Sequence, residues 1–263
     1  MCFDADALPP DLPVDLARAP MAGGAGAELL ELTSADGTRF SAALAEAPDP
    51  QGAAVVILPD VRGLFRFYSE LAERFAQAGH HAIVIDYFGR TAGLAPRDAE
   101  FEYMPHVAQT TPAQIQADAA AAIAALHARV GEVPVVTVGF CFGGRQSFFA
   151  AAAPALGLAG VVAFYGGLGS GRPGMPTPLG HEPQMRGPIL GLFGGADPSI
   201  PQETVDEFDG RLTAANVDHE FVVYPGAPHS FFDRSQEEHA DASADAWRRV
   251  LGFLRAVATP ALR

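Results

Sequence analysis

Cys141 lies in Gly139-Phe140-Cys141-Phe142-Gly143-Gly144, directly after the apolar run Val133 to Val138. A β-branched run that breaks into glycines around one polar residue predicts a strand feeding a sharp turn into a helix. Such a turn lifts its central side chain out of the backbone, and glycines at 139 and 143 let strand and helix approach closely. The helix N-terminus then aims its N–H groups at whatever lies above it, and its dipole favours a thiolate. This is the pattern of a nucleophile elbow, with cysteine where serine is usual. The plainer reading, a small buried cysteine at a strand–helix junction, gives the glycine spacing no purpose.

A cysteine nucleophile needs a base to take and return a proton, and a carboxylate to hold that base's tautomer. In an open α/β sheet these belong at the carboxyl ends of later strands. The apolar run Ile189 to Phe193 leads into Gly194-Gly195-Ala196-Asp197-Pro198, and Phe221 to Tyr224 leads into Pro225-Gly226-Ala227-Pro228-His229-Ser230-Phe231-Phe232. Asp197 and His229 therefore stand at the required ends, in the order nucleophile, acid, base. Alone, a post-strand aspartate is usually a turn former, and a lone histidine before two phenylalanines is usually structural; the ordered combination with the elbow points to chemistry. An oxyanion hole would use the N–H of Phe142 and, from the loop Pro59-Asp60-Val61, the N–H of Val61. Asp60 is then aimed at the thiol, unless it is a plain turn residue.

The elements that must position these groups read as follows. Residues 1–27, rich in Pro, Gly, Ala and Asp, form an arm. Leu29 to Thr33 and Thr38 to Ala45 flank Asp36-Gly37, a hairpin signature. Ala53 to Leu58 and His81 to Asp86 are buried strands, with a helix from Phe67 to Ala78 between them. A long segment, Tyr87 to Thr111, precedes a helix from Thr111-Pro112 to about Arg129. Arg145 to Ala153 is the helix after the elbow, and Ala159 to Tyr165 another strand. Residues 166–187 are irregular, Thr204 to Ala215 is helical, and Gln236 to Val257 is a terminal helix. Strands alternating with helices predict an α/β fold with a mostly parallel sheet covered on both faces, the hairpin adding antiparallel strands at one edge. Residues 28–263 form one domain.

Composition narrows the chemistry. All 17 basic residues are arginine, which excludes a Schiff-base or P-loop lysine. A net charge of −14 without any basic cluster disfavours nucleic acid and anionic membranes. Two cysteines, Cys2 and Cys141, make no disulfide framework. With no signal peptide and no transmembrane run, a cytoplasmic protein is expected. His80-His81 and His181-Glu182 lack the spacing of a metal site, so neither metal nor cofactor is expected.

Across about residues 28–257 the chain resembles the dienelactone hydrolase family of the α/β-hydrolase fold. The resemblance is carried by Gly139 to Gly144, Gly194-Gly195-Ala196-Asp197, and Pro225 to Phe231. It implies a Cys–His–Asp triad and an acyl-enzyme that hydrolyses a strained enol lactone. In the family a glutamate after the third strand holds the resting thiol protonated; here Asp60, one methylene shorter, takes that place. The family also binds its substrate's carboxylate with arginines, one of them shortly after the catalytic histidine. That position is Asp233 here, with Arg234 next, and Arg62 and Arg90 are further candidate anchors. Tyr103, His106 and Phe231 are candidate pocket residues. The expected partner is a small ester or lactone, with the protein a monomer or homodimer. A general carboxylesterase or thioesterase, and a non-hydrolytic redox-sensing or binding protein, are the alternatives.

Overall fold

The computed structural model describes residues 4, 6–16, 26–169 and 176–259. Among the described residues, eight strands form one sheet: β1 (Glu28–Thr33), β2 (Arg39–Ala45), β3 (Ala54–Leu58), β4 (Ala82–Ile85), β5 (Val135–Phe140), β6 (Gly160–Phe164), β7 (Ile189–Gly194) and β8 (His219–Tyr224). Their order is β1-β2-β4-β3-β5-β6-β7-β8. β1 and β2 form the expected antiparallel hairpin around Asp36-Gly37, β2 joins β4 antiparallel, and all later pairings are parallel. Parallel strands covered on both faces read as unbroken apolar runs, as in Ala54–Leu58, where every residue is buried. The two-residue side-chain period still sorts them. Val55 and Ile57 face the core beneath Phe67, Phe75 and Trp247, whereas Ala54, Val56 and Leu58 face Ile115, Ala122 and Leu126.

Among the described residues, seven α-helices accompany the sheet: α1 (Arg66–Gln77), α2 (Gly89–Ala92), α3 (Met104–Val107), α4 (Pro112–Val130), α5 (Phe142–Ala151), α6 (Gln202–Ala214) and α7 (Ala240–Ala258). α1 buries Phe67, Tyr68, Leu71, Ala72, Phe75 and Ala76, one stripe at helical spacing. Thr111 caps α4 through a capping box with Gln114, behind Pro112 in the first turn. Two differences from the sequence reading have local causes. α7 begins at Ala240 because residues Glu237–His239 form a 3₁₀ turn. α5 begins at Phe142, not Arg145, because Cys141 alone makes the whole turn, with φ 53° and ψ −108°. Among the described residues, no helix is long and apolar enough to cross a membrane.

The parallel run β3 to β8 places the carboxyl ends of six strands along one rim. The loops that follow β3, β5, β6, β7 and β8 meet there.

Candidate active site

The elbow is built by close approach. A Cβ on Gly139 would lie 2.0 Å from the Gly143 carbonyl oxygen, and one on Gly143 would lie 2.0 Å from that of Leu58. Backbone cannot yield to such overlaps, so only glycine lets α5 settle onto the ends of β3 and β5. Cys141 N–H is held by the Phe164 carbonyl at 3.0 Å, which ties the turn to the end of β6. Three of the four non-glycine residues with positive φ among those described border this rim: Cys141, Tyr165 and Ser230. Strain concentrated in this way marks a place where structure is held for a purpose other than stability.

Half-buried Cys141 sits at the N-terminus of α5, where the helix dipole stabilises negative charge. Arg145 lies one helical turn on. Burial holds its guanidinium below the ordinary arginine value, and the Cys141 charge pushes it back up. Fully buried Tyr87 has its hydroxyl pushed well above the usual tyrosine range by burial, and further by the charges of Asp60, Asp86 and Cys141. It donates to the Pro59 carbonyl at 2.8 Å.

Two backbone N–H groups, one in the turn after β5 and one in the loop after β3, have no acceptor among the described residues. Phe142, the first residue of α5, has no intrahelical acceptor for its N–H. In the loop after β3, Asp60 N–H donates to Tyr68 Oη at 3.0 Å, Arg62 N–H to Asp60 Oδ1 at 2.9 Å, and Gly63 N–H to the Asp60 carbonyl at 3.2 Å. Val61 N–H alone in that stretch has no acceptor among the described residues. Buried Asp86, at the end of β4, steadies the loop by accepting from Leu64 N–H at 3.3 Å while Arg97 binds its two oxygens at 3.2 and 2.8 Å.

On the far side, His229 Nδ1 donates to Asp197 Oδ2 at 2.5 Å. The other oxygen, Oδ1, accepts from Ser199 N–H at 2.8 Å and Ser199 Oγ at 2.6 Å. Burial alone would raise the Asp197 pKa, but the bonds from His229 and Ser199 outweigh it and hold the carboxyl below its ordinary 3.8. The Tyr165 ring packs 5.0 Å from the His229 ring, so the residue after Phe164, which anchors Cys141, also seats the histidine. A cysteine at the end of β5, an aspartate after β7 and a histidine after β8 thus stand on one rim.

The sequence profile of the dienelactone hydrolase family matches residues 40–258. The chain belongs to the dienelactone hydrolase family. It is a hydrolase of that family's kind. A protein of Escherichia coli K12 named "putative carboxymethylenebutenolidase" is 32% identical over 213 residues, covering 76% of each chain. A protein of the same name from Methylorubrum extorquens is 31% identical over 212 residues, 76% of this chain and 71% of that one. The crystal structure of a "putative dienelactone hydrolase" from Klebsiella pneumoniae superposes with a TM-score of 0.73 at 30% identity, covering 86% of this chain and 98% of the other.

Around the rim, this dienelactone hydrolase relative departs from a simple set of substrate anchors. Asp60 is fully buried, and Arg62 engages both its oxygens, with Nη2 at 2.9 Å from Oδ2. The aspartate expected to act on the thiol is thus also the counter-ion of its own loop's arginine. Removing one partner of a buried pair leaves an uncompensated charge. Arg62→Met is accordingly expected to lower stability by about 3–5 kcal/mol, read as a drop in the urea midpoint.

The other candidates are placed as follows. Arg90 donates to Asp118 at 2.7 and 2.8 Å, to Asp36 at 2.8 Å and to Ser34 at 3.1 Å, so it joins the β1–β2 turn to α4. Arg234 pairs with Asp11 of the arm at 2.7 Å. Phe231 is fully buried among Tyr165, Tyr224 and Phe164; it supports the rim from beneath and does not line an open pocket. His106 stacks on Phe101 at 5.0 Å and packs on Phe88, which meets Tyr87, which meets Phe142. A row of rings therefore links the long loop to Phe142, the residue after Cys141. Tyr103, half-buried, packs against the core on the α4 side. Sequence reasoning missed Tyr87, Tyr165, Ser199 and the Asp86–Arg97 pair. Only Asp86 and Tyr165 carried a signal, each sitting at a strand's carboxyl end.

Proposed function

We propose that the protein hydrolyses small carboxylic esters or lactones through a Cys141–His229–Asp197 triad and a thioester acyl-enzyme. The observation that carries this reading is the 2.5 Å His229–Asp197 contact on the same rim as an elbow cysteine. Cys141 Sγ attacks the carbonyl carbon, forming a carbon–sulfur bond and moving the π pair onto oxygen. Phe142 and Val61 N–H groups stabilise that oxyanion. Collapse breaks the carbon–oxygen bond, and His229, protonated from the thiol, gives its proton to the departing oxygen. His229 then takes a proton from water as the hydroxide adds to the thioester, and the second collapse returns Cys141 as thiolate. Asp197 holds Nδ1 so that Nε2 faces the reacting atoms. The protein acts without metal or cofactor in this scheme, on a small molecule, and we place it in the cytoplasm as one domain after an arm.

A second reading of substrate charge has its own support. Arg62, Arg90 and Arg234 each contact carboxylates of this chain. That favours a neutral ester or lactone over an anionic dienelactone, whose carboxylate would have to compete with Asp60, Asp118 or Asp11. Steady-state comparison of a dienelactone with p-nitrophenyl acetate tests it. The neutral ester is expected to show the higher kcat/KM, by about tenfold or more, the value of one lost charged contact. A strong preference for the dienelactone would reverse the assignment.

A further inference from the structure

The family profile begins at residue 40, yet a segment well upstream of it touches both halves of the site. Ala7 is fully buried, Pro9 and Pro10 are buried, and Leu12 and Leu16 pack against the main core. The contacts fall on two catalytic loops. Arg62, one residue after the Val61 donor and bound to Asp60, gives Nη1 to the Asp4 carbonyl at 3.1 Å. Beyond His229, Arg234 N–H donates to the Leu8 carbonyl at 2.9 Å, and Leu8 N–H to Asp233 Oδ1 at 3.3 Å. Asp233 is buried and also accepts from Ser235 N–H at 3.0 Å and Ser235 Oγ at 2.8 Å, so it is the centre of that loop's fold. Trp247 Nε1 of α7 adds a bond to the Pro10 carbonyl at 3.2 Å.

Without this segment, the His229 loop is fastened on its other flank, by Ser243 Oγ to the Phe231 carbonyl at 3.1 Å. The loop after β3 is fastened by Asp86 and Tyr68. Each loop thus has its own base, and the arm bridges them. The exposed pairs Asp11–Arg74 and Asp15–Arg248 add little; the backbone bonds and the apolar side chains do the fastening.

We propose that residues 4 and 6–16 are a positioning strap, which fixes the Val61 loop and the His229 loop relative to each other and so sets oxyanion donor and base in one frame. The strap rests on the hydrolase reading for its catalytic consequence, though not for its effect on the Cys141–His229 relation. Arm residues are positioning residues only.

The test compares the full chain with two variants, deletion of residues 1–16 and Leu8→Pro, which removes the N–H given to Asp233. Each is first shown to be folded by its cooperative thermal transition. Two quantities are read: kcat and KM on p-nitrophenyl acetate, and the pH midpoint of Cys141 alkylation by iodoacetamide. A displacement on the ångström scale costs up to about 100-fold in rate. The expected result is therefore a kcat lower by about tenfold or more, with KM within about threefold. The alkylation midpoint should move away from that of the full chain. Folded variants that keep kcat within about twofold and an unmoved midpoint would reduce the arm to a cover for the core and overturn the strap. Should the deletion not fold, Leu8→Pro decides by the same readings. Should the full chain show no Cys141-dependent turnover, the hydrolase reading fails, and the alkylation midpoint alone decides the strap.

Discussion

Cys141→Ala is expected to lower kcat for ester hydrolysis by about 10⁴-fold or more, with the fold intact. The thiol is the only protein group in the scheme that forms a bond to the acyl carbon, so nothing in the rim replaces it. What survives is the contribution of binding and of the Phe142 and Val61 donors to attack by water. The turn itself should tolerate the change. Cys141 already holds φ 53° with a Cβ, so alanine introduces no new backbone strain, and the side chain it loses is half-buried. Equal melting temperatures beside lost turnover would verify the prediction. Retained turnover would move the nucleophile elsewhere.

Asp197→Asn should cost nearly as much, about 10³–10⁴-fold in kcat, for a reason specific to this site. In the wild type both carboxylate oxygens accept: Oδ2 from His229, and Oδ1 from Ser199 N–H and Ser199 Oγ. An asparagine has one oxygen, and the two Ser199 donors compete for it more strongly than one imidazole. The amide NH₂ would then face Nδ1, which must become an acceptor, and the proton moves to Nε2, the nitrogen needed as base. Loss of kcat with KM nearly unchanged is the expected pattern. In the wild type the carboxyl is held below its ordinary 3.8, so it is ionised across neutral pH. A group depressed in this way stabilises the fold above its unfolded pKa and loses that contribution as pH falls through the folded value. A fall in activity near neutrality therefore does not come from Asp197.

The three groups of the proposed triad stood out in the sequence because each follows an apolar strand run and is announced by glycine or proline. The same pattern gave the order of the strands' chemistry and the hairpin at the edge. What the sequence could not show depends on packing between distant segments. That Arg62 binds Asp60 is a local turn that spacing permits but does not compel. That Arg90 goes to Asp118, 28 residues away, depends on where α4 lies over the β1–β2 turn. Phe231 reads as a pocket residue beside His229, but its ring turns inward among Tyr165 and Tyr224. The arm was legible as an extension only by its Pro, Gly and Asp content. Its docking depends on Asp233 and Trp247, more than 220 residues on.

The measurement that bears most directly on the central claim is covalent trapping. Asp197→Asn, in which the water step is slowed with the base, is mixed with p-nitrophenyl acetate and quenched in acid. The intact mass and the peptide map are then read. The triad and thioester mechanism predicts one acetyl group per chain, on Cys141, released by hydroxylamine and absent in Cys141→Ala. An acetyl group on any other residue, or undiminished turnover by an enzyme that cannot be labelled at Cys141, would contradict it.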